Sequence, residues 1–188
     1  LVGWLENRRT NGGLATLIVD IPGAQGVEYY LHSRETLTNG AAPELQIRTD
    51  KVVKIWPLGD SITYGAGVAG GYREALFTNL SARSYPIKLV GTSTGNSTTA
   101  LSTADQAHHD GHSGYSITNA VNIDDASTRA GIYENVESWH NDIDDPDVIL
   151  LMIGINDLNT GYQVDTAAGR LNLLIERLFG YYPNTRIL

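Results

Sequence analysis

Apolar positions fall into two rhythms along the chain. In the first 48 residues they gather in three short runs, "LATLIVDI" at 14–21, "VEYYLHS" at 27–33 and "PELQIRT" at 43–49. Pro-Gly, Asn-Gly and Ala-Ala-Pro breaks part these runs, so each reads as a strand. From Lys51 onward strand-like and helix-like segments alternate. Strands are expected at 52–56, 86–91, 147–154 and 185–188, and helices at about 71–83, 126–140 and 166–180. In the last of these, Leu171, Leu174, Ile175 and Leu178 share one face of a 3.6-residue period. The unbroken apolar run Val148 to Ile153 suits a strand covered on both faces, as in a parallel sheet. The second rhythm therefore predicts an α/β domain with a doubly wound sheet.

Three strands make a poor core by themselves, so residues 1–50 are expected to be the end of a β-sandwich accessory module and its linker, near Thr49-Asp50. The α/β domain is expected over 51–188 and stops at Leu188 in the middle of a strand, so its C-terminal part is expected to lie beyond this chain. The opening "LVGWLENRRT" lacks the basic-then-apolar order of a secretion signal, which fits a start cut from something longer.

Composition narrows the function more than the fold. With 188 residues and 41% apolar content the chain can bury a real core. A formal charge of -8 opposes nucleic-acid and anionic-membrane partners, which need a positive field. The longest apolar run is far too short to cross a bilayer. The absence of cysteine excludes disulfides, thiolate nucleophiles and cysteine-bound zinc.

Several motifs compete for the chemistry. "GAGVAG" at 65–70 has the spacing of a dinucleotide fingerprint, but eight residues separate it from its strand, and a glycine-rich loop is the simpler reading. "GTSTG" at 91–95 has the spacing of a nucleophile elbow, yet a polar Ser/Thr loop follows it where a helix is needed. "DQAH" at 105–108 offers Asp105 and His108 as an acid–base pair in a loop. A fourth set agrees internally: "GDSIT" at 59–63, "HDGHSGYSI" at 109–117 and "GINDL" at 154–158 each sit just past a strand or in a loop. Sheet topology gathers such loops at the carboxyl ends of strands. Taken singly, Asp60-Ser61 also reads as a helix N-cap and Asn156-Asp157 as a strand-ending turn.

Together with "PLGDSITYG" and "GGYREAL" at 70–76, these segments resemble the SGNH, or GDSL-type, hydrolases. Within that superfamily they are similar to the family three carbohydrate esterases, which include acetylxylan esterases. The resemblance runs from about Lys51 to Leu188 and implies a flavodoxin-like three-layer fold, C-terminally incomplete here, behind an N-terminal β-rich segment. A second resemblance, of "LHSRETLTNGAAPELQI", is to the end of carbohydrate-associated sandwich modules of the DNRLRE type.

The first resemblance implies a serine esterase that removes acetyl groups from plant polysaccharide, acting outside the cell as one module of a longer chain. Ser61 would be the nucleophile, and the Ser61 and Gly114 main-chain N–H groups would form the oxyanion hole with the Asn156 carboxamide. Asp60, Arg73, Gly154 and Asp157 would support the site, and His109 and His112 could line a substrate cleft. That chemistry requires no metal or organic cofactor. The family's base lies in an Asp-x-x-His segment after two further strands, and none follows Asn156 in these 188 residues. The Asp105/His108 pair precedes Gly114, the wrong order for a substitute. The chain alone is therefore expected to be nearly inactive. Two other readings stay open: a lipase, thioesterase or arylesterase of the same superfamily, and a non-catalytic carbohydrate-binding remnant.

Overall fold

A computed structural model describes residues 28–31, 45–48, 51–121, 126–159 and 164–188. The chain divides into two compact units, Leu1–Lys51 and Val52–Leu188. In the first, strands β1 (Glu28–Leu31) and β2 (Leu45–Arg48) pair antiparallel, with Glu28 opposite Arg48 and Leu31 opposite Leu45. Both fall within the runs expected to be strands. The run at 14–21, the Ser-Arg-Glu stretch of the sandwich-module resemblance and the linker at 49–50 lie outside the described residues.

The second unit is built on a parallel sheet. Strands β3 (Val53–Gly59), β4 (Ile87–Leu89), β5 (Asp110–Gly111), β8 (Val148–Met152) and β9 (Arg186–Ile187) take the order β4-β3-β8-β9, with β5 beside the far end of β3. A two-stranded ribbon, β6 (Ala120–Val121) with β7 (Thr128–Arg129), stands apart.

Period-two alternation along the strands builds two cores. Trp56, Leu58 and Ile149 face helices α4 (Ile132–Trp139) and α6 (Ala167–Tyr181), where Ile132, Val136, Leu174 and Leu178 meet them. Ile55 and Leu89 face the other way, toward Leu76, Phe77 and Leu80 of α2 (Gly71–Ala82) and Leu101 of α3 (Thr99–Thr103). On β8, Ile149 and Leu151 serve the first core, Val148 and Leu150 the second. The continuous apolar run is thus a strand covered on both faces, as its pattern predicts.

Besides shifts of one or two residues at several ends, three differences from expectation stand out. The helix expected at 126–140 begins at Ile132, because Thr128 and Arg129 are taken up by the ribbon and Gly131 caps the helix. Inside the polar Ser/Thr loop, the Thr98 hydroxyl accepts from the Leu101 N–H at 3.3 Å and starts the short helix α3, which buries Leu101.

The third difference is that β3 continues through Pro57 to Gly59, although proline is rare in a central strand. The sheet has a gap for it. Residues 53, 55 and 59 bond toward the β4 and β5 side, through Val53 N to Pro86 O, Val90 N to Ile55 O and His112 N to Gly59 O. By the alternation of parallel bonding Pro57 faces that side too, between the end of β4, paired at Ile55, and the start of β5, paired at Leu58. No ladder bond is lost.

Candidate active site

The turn after β3 delivers Ser61. Asp60 is fully buried and caps α1 (Ser61–Tyr64), its Oδ1 accepting the Ile62 N–H at 2.9 Å. Its Oδ2, also buried, has no partner among the described residues. Burial raises the Asp60 pKa above the ordinary carboxylate value; the bond from Ile62 opposes this, and repulsion from Asp157 adds to it. Because Asp60 does the capping, the half-buried Ser61 keeps its hydroxyl and its N–H uncommitted among the described residues.

Gly59 has no room for a side chain, since a Cβ there would lie 2.1 Å from the Met152 carbonyl oxygen. That close approach lets Asp60 N donate to Met152 O at 3.2 Å and draws the end of β8 against the serine turn. On the other flank His112 N donates to Gly59 O at 2.9 Å, bringing in the segment after β5. Gly114 in that segment has φ +84°, a conformation that glycine adopts at no steric cost. Its carbonyl accepts from Arg129 Nη1 at 3.2 Å, and its N–H has no partner among the described residues.

Beyond β8 the chain turns at Gly154, φ +113°, into the short helix α5 (Ile155–Asn159). The Asn156 carboxamide donates to Tyr115 O at 2.7 Å, tying this loop to the Gly114 segment. Asp157, fully buried, accepts from Ile117 N at 3.0 Å and from Arg170 Nη1 at 2.6 Å. The structure thus brings the Ser61, Gly114 and Asn156 segments to one edge of the sheet, joined by direct hydrogen bonds.

Arg73 is fully buried without a carboxylate among its hydrogen-bond partners. Its guanidinium donates to the carbonyls of Thr63, Tyr64, Asn96 and Ala107 and to the Ser97 hydroxyl, at 3.1 to 3.3 Å. Burial lowers its pKa, yet it gathers the last carbonyls of α1 and two neighbouring loops around one cation.

His109 does not line a cleft. Its ring is fully buried, Nδ1 accepting from Gly111 N at 2.9 Å and Nε2 facing Gly95 O at 2.8 Å, so it is a neutral brace whose pKa burial lowers to about 4. His112 is half-buried, stacked on Trp139 with ring centroids 4.3 Å apart and on Tyr115 at 4.8 Å. Its Nε2 lies 3.4 Å from Asp110 Oδ1.

Asp110, Arg129 and Arg170 are site-forming residues that sequence reasoning passed over. Asp110 is fully buried and held by Trp56 Nε1 at 2.7 Å, by Thr92 through both its N–H and its hydroxyl, and by His112. An aspartate between two histidines within a selected motif is the signal that could have found it. The Asp105/His108 pair bonds elsewhere, Asp105 to Lys88 and His108 Nδ1 to Gly91 O at 2.9 Å.

A parallel sheet between helical layers, with a serine turn after its central strand, defines an α/β protein of the SGNH type. The chain belongs to the GDSL-like Lipase/Acylhydrolase family, whose pattern matches residues 58–188. It is 37% identical over 145 residues to a multidomain esterase of Ruminococcus flavefaciens, a match covering 70% of this chain and 18% of that protein. A family 3 carbohydrate esterase of Clostridium thermocellum superimposes with a TM-score of 0.58 at 33% identity, over 73% of this chain and 60% of that one. A mutant acetyl esterase crystallised with acetate ion gives a TM-score of 0.52 at 20% identity, over 72% and 60%, a likeness of fold alone.

Proposed function

We propose that this chain carries the acyl-transfer site of a secreted serine esterase that removes acetyl groups from plant polysaccharide. The observation that carries it is the company of Ser61: its hydroxyl and N–H, without a partner among the described residues, share one sheet edge with the Gly114 N–H, likewise without one among them, and with the Asn156 carboxamide. In this reading Ser61 Oγ bonds to the ester carbonyl carbon, the carbon–oxygen bond to the sugar breaks, and the sugar hydroxyl leaves with a proton. Water then attacks the acetyl-serine and releases acetate. Negative charge builds on the carbonyl oxygen in both steps, and each fixed donor there contributes about 3 kcal/mol to lowering the barrier.

The acetyl preference is the finer part of the proposal and rests on the resemblance of the motif segments to acetylxylan esterases, while the likeness to the carbohydrate esterase supports a carbohydrate ester as substrate. No imidazole in this chain has the place that the family gives its base, so the 188-residue polypeptide alone turns over slowly. A fluorophosphonate probe together with acetate release from acetylated xylan tests both parts. The expected result is labelling at Ser61 and slow, Ser61-dependent release. Polysaccharide binding without any reaction at Ser61 would instead support a binding remnant.

One observation favours a second reading. An apolar cavity of about 280 Å³ opens beside Gly154, lined among others by Ile117, Ile153, Leu158 and Leu171. Longer acyl chains would fill it, as in a lipase or thioesterase. Faster turnover of p-nitrophenyl octanoate than of the acetate would establish that reading.

A further inference from the structure

Arg170 sits where a helix resists it. It lies in the first turn of α6, where a cation opposes the helix dipole, and it is 9% exposed. Local propensity does not explain a buried cation there; its partners do. Nη1 donates to Asp157 Oδ1 at 2.6 Å and to the Thr118 hydroxyl at 3.3 Å. The other Asp157 oxygen accepts from Ile117 N at 3.0 Å, and next to it Asn156 donates to Tyr115 O at 2.7 Å. One cation therefore closes a frame around residues 115–118 and 156–157, the first stretch within four residues of Gly114 and the second including Asn156.

We propose that Arg170 is a positioning residue of the acyl-transfer site: acting through Asp157, it fixes the spacing between the Gly114 N–H and the Asn156 carboxamide and offsets a buried negative charge beside the forming oxyanion. This rests on the serine-esterase reading.

The electrostatic half follows from charge placement. Asp60 and Asp157 are both fully buried, and they sense each other. An oxyanion forming near two carboxylates is disfavoured unless a cation balances them. Deleting one partner of a buried pair leaves the other charge uncompensated, so loss of Arg170 would displace the Asp157 carboxylate. That displacement releases Ile117 and loosens the frame.

The test avoids dependence on turnover. Methylboronic acid adds to a serine hydroxyl as a tetrahedral anion, a stable mimic of the oxyanion, and its affinity for the 188-residue chain can be followed by boron NMR well below each variant's unfolding midpoint. Arg170→Gln is expected to weaken binding about tenfold or more, the scale of a lost buried-pair interaction. Arg170→Lys keeps the positive charge beside Asp157 and should bind more tightly than Arg170→Gln. A glutamine variant with parental affinity, or a lysine variant as weak as glutamine, overturns the proposal. If Arg170→Gln does not fold, the double variant Asp157→Asn with Arg170→Gln removes both charges together, and parental affinity in it overturns the proposal equally. Binding by the parent that survives Ser61→Ala, or no binding by the parent, sinks the serine reading itself.

Discussion

Strands β3 and β4 lie side by side, and each is followed by Gly-x-Ser: Gly59-Asp60-Ser61 and Gly91-Thr92-Ser93. After β3, the residue before the serine takes over the local side-chain hydrogen bonding, Asp60 capping the helix, and Ser61 gives the fold only its carbonyl, which accepts from Gly65 N and Ala66 N at 2.9 Å, its hydroxyl staying uncommitted among the described residues. After β4, Ser93 Oγ accepts from Gly95 N at 3.1 Å, and its main chain exchanges two bonds with His109, at 2.9 and 3.0 Å. Ser93 is spent on structure. The difference teaches that a candidate nucleophile is recognised by which neighbour relieves it of structural work, and the spacing of glycines around it says little.

The largest expected effect breaks this comparison outright. Ser61→Ala should abolish the slow Ser61-dependent ester turnover, whereas Ser93→Ala should leave it within about twofold, as for a residue away from the chemistry. p-Nitrophenyl acetate kinetics decides, and equal losses in both variants would erase the distinction.

Next in size is the pH dependence carried by the brace on the Ser93 side. Burial holds the His109 pKa at about 4, against an ordinary value near 6.5, so the unfolded chain takes up the proton first as pH falls. Stability is fully present above about pH 6.5 and is lost progressively toward pH 4, by roughly 3 kcal/mol in all. Urea denaturation at pH 7 and pH 5 should show the drop, and His109→Gln should flatten it in that window. An unchanged slope in the variant would assign the loss to other groups.

The smallest effect sharpens the cap. Asp60→Ala removes the acceptor of the Ile62 N–H and should cost about 1 kcal/mol of stability, with Asp60→Asn costing less because it keeps an acceptor. Thermal unfolding of the two variants measures it. If alanine and asparagine behave alike, Ser61 is relieved by something other than its neighbour.

Much of this architecture was legible beforehand because it depends on periodicity. The run Val148 to Ile153 suited a strand covered on both faces, and Val148 to Leu151 pack into the two cores, while the 3.6-residue spacing that includes Leu174 and Leu178 predicted the helix α6. The three loops of the site were legible as motifs, since glycine, serine and asparagine are unusual together just past strands. What escaped depends on partners distant in sequence. Asp110 and Trp56 are 54 residues apart, and Arg170 is 13 from Asp157, so neither pairing leaves a local trace. Arg170 even reads as a blemish on an amphipathic helix. His109 went to a cleft because a polar ring in a loop suggests solvent, while the two main-chain groups that bury it come from Gly95 and Gly111.

Pro57 has a consequence for precision. Because its nitrogen carries no hydrogen, β3 can sit at only one offset against its neighbours: a slip by one residue would turn that bare nitrogen toward β8 and leave a carbonyl there unanswered. Four positions downstream, the serine hydroxyl inherits this indexing. The ring acts as a ratchet pawl, setting where along the sheet the reactive oxygen stops.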